Sequence, residues 1–283
     1  MAGRRPDRRG SRVPVRGRGR RPRARLTPVA KVLMTSTLII VPTYNERENI
    51  PLILGRALAA VPDADVLVVD DGSPDGTAEI VQEMIAADPR IHLLQRETKN
   101  GLGGAYLAGF RYAADHDYAL VVEMDADGSH PPERLPAMLA VFQRPDAATV
   151  GGVIGSRWVP GGSVVNWPAS RQLISRAGSL YARIALGVPV RDVTAGYRVY
   201  PTAVLEELDL GSIESRGYCF QIDMTRRVVA SGRRVVEVPI EFRERELGES
   251  KMSGGIVVEA MLRVTQWGFQ RLGRALTRPF RRA

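Results

Sequence analysis

The chain has 283 residues, 44 % of them hydrophobic and 6 % aromatic, enough to bury a sizeable core, and at about 150 residues per domain it holds one large domain or two. Its net charge of +9 is unevenly placed: residues 1–31 hold 12 of the 40 basic residues and one of the 31 acids, while residues 263–283 hold six Arg and no acid. An acidic body between basic ends argues against a nucleic-acid-binding globule and directs the ends toward something anionic, and the single cysteine, Cys219, excludes an internal disulfide.

No run approaches the roughly 18–20 apolar residues of a spanning helix, and no apolar signal-peptide core precedes Arg25. With the lone cysteine, this predicts a cytoplasmic protein that touches a membrane peripherally without crossing it. Residues 1–35, dominated by Arg, Pro and Gly at the start, read as a disordered tail; Met34 is an alternative starting residue.

The folded part opens with TLIIV (37–41), a short apolar run of the kind found in buried parallel strands. Pro42 is expected to end it, with a helix from Glu46 to Ala60. The plan then repeats: a strand at 66–69, the acids Asp70 and Asp71, a Gly/Ser/Pro turn, and a helix near 76–87. IHLLQR is a third strand, followed by a glycine-opened helix in KNGLGGAYLAGFRYAA. YALVVEM is a fourth strand, ERLPAMLAVF a helix, and ATVGGVIGSRW a fifth strand. Strands alternating with helices over short connections predict an α/β fold with an open, mostly parallel sheet flanked by helices. Ligands of such sheets sit beyond the carboxyl ends of the strands, where PTYNE, DDGSPDGT, DADGSH and GSRW all fall.

The second half is less regular. Helices are expected at 171–186 and in GYCFQIDMTRRVVASG, a loop entering a strand in VTAGYRVY, and a strand running into a polar loop in RRVVEVPIEFRERE. A last helix, 256 to about 276, carries Ile256, Val257, Ala260, Met261, Val264 and Trp267 on one stripe and an Arg-rich face further along.

The stretch VVEMDADGSHPPE (121–133) carries the chemistry. Asp125 and Asp127 flank Ala126 at a strand end, before a Gly-Ser turn and two prolines suited to the start of a helix. Paired carboxylates there are hard-cation ligands of the kind that hold Mg2+ or Mn2+ against a substrate diphosphate. Alone, such a turn is more often a solvated surface loop. His130 reads as a helix-start residue or a ligand, His92 and His116 as structural, and Cys219 as a small core residue.

Taken together, PTYNERENI, VVDDGSPDGT, MDADGSHPP, GSRW, NWPxxR (166–171), TAGYRVY, GYCFQID and GESKM resemble, in that order, the polyprenol- or dolichol-phosphate mannose synthases, family 2 glycosyltransferases of GT-A fold. The resemblance spans about residues 37–254. It implies a catalytic domain over 36–254 and leaves 255–283 as a basic amphipathic helix. It further implies an inverting transfer of mannose from GDP-mannose to polyprenyl phosphate, with a divalent cation (Mg2+ or Mn2+). On it, Pro42, Tyr44, Glu46, Val69 and Asp71 hold the nucleoside, and Asp125, Ala126 and Asp127 form the metal turn. Arg157, Arg245 and Lys251 match phosphate-engaging positions and join Asp127 as the expected catalytic set. Arg171 and Ser250 complete the substrate-binding residues, and Asp223 is expected to line the site. The expected partners are an anionic membrane surface and, for some relatives, a separate membrane protein; no nucleic acid is expected. The alternatives are another donor, such as UDP-glucose, on the same lipid phosphate, and a catalytically dead binding module.

Overall fold

The structure, a computed structural model, describes residues 36–97, 101–213, 218–244 and 254–277, with backbone alone at 218, 254–258 and 274–277. In chain order these fold into β1 (Thr37–Thr43), α1 (Ile50–Ala60), β2 (Asp65–Asp70), α2 (Thr77–Ala87), β3 (Ile91–Gln95), α3 (Gly101–Asp115) and β4 (Leu120–Glu123). Then come α4 (Leu135–Leu139), β5 (Val150–Ser156), β6 (Ser163–Val165), α5 (Ala169–Leu186), β7 (Arg198–Pro201), α6 (Thr202–Glu207), α7 (Tyr218–Ala230), β8 (Arg234–Pro239), β9 (Glu241–Arg243) and α8 (Gly254–Thr277).

Seven strands form one sheet in the order β3-β2-β1-β4-β7-β5-β8, and β6 pairs with β9 in a separate ribbon. β1 runs parallel to β2 and β4, β2 to β3, and β5 to β8. Only β7 is reversed, antiparallel to both β4 and β5. The expected mostly parallel sheet is therefore present, with one inverted strand that the sequence pattern did not announce.

Successive strand residues point to opposite faces, and both faces are covered. Ile39, Val41, Val66 and Val68 pack with α1 residues Ile53, Leu54 and Ala57. Leu38, Ile40, Leu67 and Val69 pack on the other face with Tyr106 and Phe110 of α3 and Phe220, Met224 and Val228 of α7. Burial on two sides is why β1 and β2 read as continuous apolar runs rather than alternating ones. Gly109 lets α3 close onto β1, since a Cβ there would lie 2.5 Å from Ile40 Cδ1. A third cluster joins Ile154, Ala182, Leu186, Ile222 and Val264, so α5, α7 and α8 share one core.

Three local expectations change. Pro42 does not end β1; it pairs in register with Val69, and the strand continues to Thr43. The last β1–β4 pair is Ile40–Glu123, so the missing N–H of Pro42 forfeits no ladder bond on that side. The helix expected in ERLPAMLAVF is broken into a 3₁₀ turn (Pro132–Arg134), the short α4, and another 3₁₀ turn (Ala140–Gln143). Pro132 and Pro136 each withdraw an N–H from this stretch. α1 starts at Ile50 because residues 46–49 are taken up by a turn closed by Asn49 N–H to Glu46 O.

Candidate functional site

Strand direction gathers the motifs. The carboxyl ends of β1, β2, β4 and β5 lie on one edge of the sheet, and the reversed β7 starts from that edge. PTYNE, DDGSPDGT, the D-A-D turn and GSRW all leave the sheet there, and TAGYR enters it there.

The first two turns are laced together. Thr43 Oγ1 donates to Asp70 Oδ1 (2.9 Å), and Asp70 Oδ2 accepts the main-chain N–H groups of Gly72 and Ser73 (3.1 and 2.9 Å). The N–H groups of Asn45, Glu46 and Arg47 donate to Ser73 Oγ, Thr77 Oγ1 and Asp75 Oδ2. Tyr44 and Glu46 are half-buried beside this lacing, and Asn49 Nδ2 donates to the Glu46 carboxylate at 2.8 Å. Val69 is fully buried. Asp71 is paired with Arg96 at 2.7 Å, a partner that sequence reasoning missed. Its signal was a basic residue closing IHLLQR at the carboxyl end of β3.

In the D-A-D turn Ala126 is buried, and Asp125 and Asp127 are half-buried. Asp127 Oδ1 accepts the Ser129 N–H at 3.1 Å, and Gly128 takes the left-handed conformation (φ 75°) that the turn requires. Tyr106 of α3 donates to Asp125 Oδ1 at 3.3 Å; burial, with the Asp125 carboxylate beside it, raises its phenol well above the ordinary value and keeps it a donor. His130 is buried, and its Nδ1 accepts the Asp125 N–H at 3.0 Å. Beneath the turn lies a buried polar group that sequence reasoning also missed. Glu123 stands opposite Arg198 in the β4–β7 register and accepts from Gln221 Nε2 at 2.8 Å. Burial pushes its carboxyl up to about 8, against the pull of Arg198. The acid inside VVEMD was its only sequence signal.

Arg157 is 5 % exposed and held by Asp192, which accepts its main-chain N–H, Nε and Nη2. Asp192 is fixed in turn through Glu237, which accepts the Asp192 N–H and the Ser156 hydroxyl. The Arg157 guanidinium lies 5.3–5.5 Å from the rings of Trp158, Trp167 and Phe242. Arg171 stacks 4.1 Å over Trp167 and pairs with Glu244. Trp167 follows Asn166, a left-handed residue (φ 63°) just after β6, so the NWPxxR motif works by placing a ring between two guanidiniums. The Arg245, Ser250 and Lys251 positions lie outside the described residues.

Two cavities border these groups. One of about 560 Å³ is lined by Asn49, Arg56, Ala126, Asp127, Ser129 and Arg243, among others. The other, about 120 Å³ and mostly apolar, runs between α5, α7 and α8 from Arg157 and Arg171 past Ile174, Ile222 and Met261. On the same two helices Leu173, Ile174, Leu180 and Ile184 of α5 and Met261, Leu262, Phe269 and Leu272 of α8 are all more than half exposed. Of the stripe expected on the last helix, Val264 is buried and Ala260 and Trp267 half-buried, whereas Met261 faces outward. Asp223, expected to line the site, is buried; its carboxylate pairs with Arg226 and Arg227 of its own helix, and Arg226 stacks on Trp267 of α8 at 4.9 Å.

Among the described residues no group of three or more His, Cys, Asp or Glu side chains is placed to hold a metal ion. Asp125 and Asp127 are two half-buried carboxylates one residue apart at the end of β4, the donor type that hard cations take. No helix among the described residues is long and apolar enough to cross a membrane.

The family model described as Glycosyl transferase family 2 matches residues 38–209. The chain is 59 % identical over 231 residues to undecaprenyl-phosphate mannosyltransferase of Micrococcus luteus, covering 82 % of this chain and 93 % of that protein. It is 54 % identical over 243 residues to polyprenol monophosphomannose synthase of Mycolicibacterium smegmatis, covering 84 % and 89 %. Among solved structures, glucosyl-3-phosphoglycerate synthase of Mycobacterium tuberculosis superposes with a TM-score of 0.63 at 17 % identity, over 87 % of this chain and 85 % of that one. A mannosyltransferase from Pyrobaculum calidifontis, solved with GDP-Man and Mn2+, gives 0.52 at 20 % identity, over 84 % and 64 %. At these identities the two structures establish the shared fold.

Proposed function

The chain belongs to glycosyl transferase family 2, and we propose that it transfers mannose from GDP-mannose to a polyprenyl phosphate with inversion, giving polyprenyl phosphate β-mannose and GDP. The observation that carries this reading is identity above one half, over most of the chain, to two enzymes named for mannose transfer to a polyprenyl phosphate. Among the described residues, five of the motifs in which the resemblance lies (PTYNE, DDGSPDGT, the D-A-D turn, GSRW and TAGYR) gather on one rim.

The roles are those the resemblance implies, and the geometry supports them. PTYNE and DDGSPDGT, braced by their mutual hydrogen bonds, take the nucleoside through Pro42, Tyr44, Glu46 and Asp71. Asp125 and Asp127 hold a divalent cation, Mg2+ or Mn2+, with Tyr106 and Ser129 fixing their carboxylates. When bound, that ion supplies Lewis-acid stabilisation of the departing diphosphate. The acceptor phosphate is already anionic near neutral pH, so no tuned general base is needed. What remains is to align its oxygen with the sugar C1 and balance its charge. Arg171 at the rim of the apolar groove does this, with Arg157 behind it; Arg245, Ser250 and Lys251 complete the set on the resemblance alone.

The apolar faces of α5 and α8 lie against the bilayer that holds the acceptor, and the groove between them takes the first isoprene units. Exposed Leu, Ile, Met and Phe at this density fit an interfacial surface better than open water. The enzyme thus works peripherally at the inner face of the membrane.

Transfer to a polyprenyl phosphate, measured with labelled GDP-mannose and UDP-glucose in parallel and with and without EDTA, tests the reading. Chelator-sensitive transfer from GDP-mannose alone is expected. Transfer from UDP-glucose instead would keep the fold and replace the donor, and transfer from neither would overturn the assignment.

A further inference from the structure

We infer that His130 is a positioning residue of the donor site: it fixes the main chain at Asp125, and with it the carboxylate pair of the D-A-D turn. The inference rests on the reading of that turn as the cation-binding element.

Three observations converge. First, Met124 donates its N–H to Ile40 O, the last β-type bond at this end of β4, and the next donor, Asp125 N–H, goes to His130 Nδ1 at 3.0 Å. The side chain thus takes over where the sheet stops satisfying the backbone. Second, the ring is 2 % exposed and locked by its neighbours. Tyr197 stacks on it with centroids 4.9 Å apart and planes 7° apart, and Phe242 meets it edge-on at 5.7 Å. Third, the Tyr197 hydroxyl donates to Pro131 O at 3.0 Å. The turn from Asp125 to Pro131 is therefore pinned at its first peptide by His130 and at its end by Tyr197, two stacked rings.

His130 does sit just ahead of the 3₁₀ turn Pro132–Arg134, as a helix-start residue would, but its Nδ1 is spent on the main chain and its ring is packed against Tyr197 and Phe242. An imidazole acting through a ligand's peptide controls where the carboxylate points. Comparable indirect supports around metal sites change affinity by roughly 10- to 100-fold.

Two variants separate positioning from packing. His130→Phe keeps a ring against Tyr197 and removes the acceptor; His130→Asn loses the ring but offers an amide oxygen near the Nδ1 position. Mn2+ binding in the presence of GDP or UDP is read by electron paramagnetic resonance, and exchange of the Asp125 amide by NMR, on the full chain. The expectation is that His130→Phe weakens Mn2+ binding about 10-fold and speeds exchange at Asp125, while His130→Asn recovers most of both despite its smaller side chain. Wild-type Mn2+ affinity in His130→Phe, or equal losses in the two variants that follow their thermal stability, would overturn the positioning role and leave a packing residue. Failure of the wild-type protein to bind Mn2+ with either nucleotide would overturn the site reading itself, and this role with it. Asp127→Ala is the control that abolishes binding in every case where the site reading holds.

Discussion

Asp192 accepts three hydrogen bonds from Arg157, from its main-chain N–H at 2.9 Å, Nε at 2.8 Å and Nη2 at 2.6 Å, with both residues buried. The arginine of GSRW, expected from sequence as a phosphate ligand, is a strut in this structure. It anchors the end of β5 to the loop entering β7 and carries the rings of Trp158, Trp167 and Phe242 around it.

Removing one partner of such a pair leaves a buried charge uncompensated. Asp192→Ala is expected to cost about 3–5 kcal/mol, read by urea denaturation. Replacing both partners with apolar residues of similar volume should cost less. A loss under about 1 kcal/mol in the single variant would mean that water or another acceptor reaches Arg157.

Asp127 is half-buried, and its local bond is to the next turn residue but one, Ser129. Asp127→Ala should therefore shift stability by only about 1 kcal/mol while reducing mannose transfer to background. Near-normal transfer by a folded variant would remove the metal assignment.

The exposed apolar face offers a test of membrane contact that spares the core. Phe269 and Leu272 are 70 % and 56 % exposed. Replacing both by Glu should abolish co-sedimentation with anionic vesicles and lower transfer to long-chain acceptors severalfold. Transfer to short, water-soluble acceptors should be unchanged, and unaltered vesicle binding would place the contact elsewhere. Truncation after Ser253 is the poorer test, because Val264 and Trp267 belong to the third apolar cluster and their loss would disturb α5 and α7.

Cys219 is 1 % exposed, and burial pushes its thiol up to about 12. The native protein should resist thiol reagents at pH 8, with one thiol appearing only on denaturation. Rapid labelling under native conditions would show that the start of α7 opens readily.

Gly109→Ala should destabilise by about 1–3 kcal/mol, the usual cost of overpacking, since its Cβ would fall 2.5 Å from Ile40 Cδ1 where α3 crosses β1. A Tm unchanged within error would mean that the helix shifts without cost.

The alternation of apolar strands with helices, and the placing of PTYNE, DDGS, D-A-D and GSRW after strands, were legible in the residues. Both depend on local rules: side-chain period, proline and glycine chemistry, and the position of polar turns after buried runs. Arg96 beside Asp71, Glu123 beneath the D-A-D turn, Asp192 under Arg157 and the rings clamping His130 were not legible, because each partner lies 25 to 112 residues away along the chain. Asp223 shows the converse: its pairing with Arg226 and Arg227 follows from helical spacing alone and could be read from the residues.

The sequence by itself determined which residues carry charge and where the backbone must turn, since those properties belong to each residue and its near neighbours. Only the tertiary structure decided which charges face each other and which are sealed in. β7 runs opposite to its neighbours, so Arg198 stands beside Glu123 and TAGYR begins on the rim where β4 ends. Strand direction is set by the packing of the whole sheet, and no local stretch of residues encodes it.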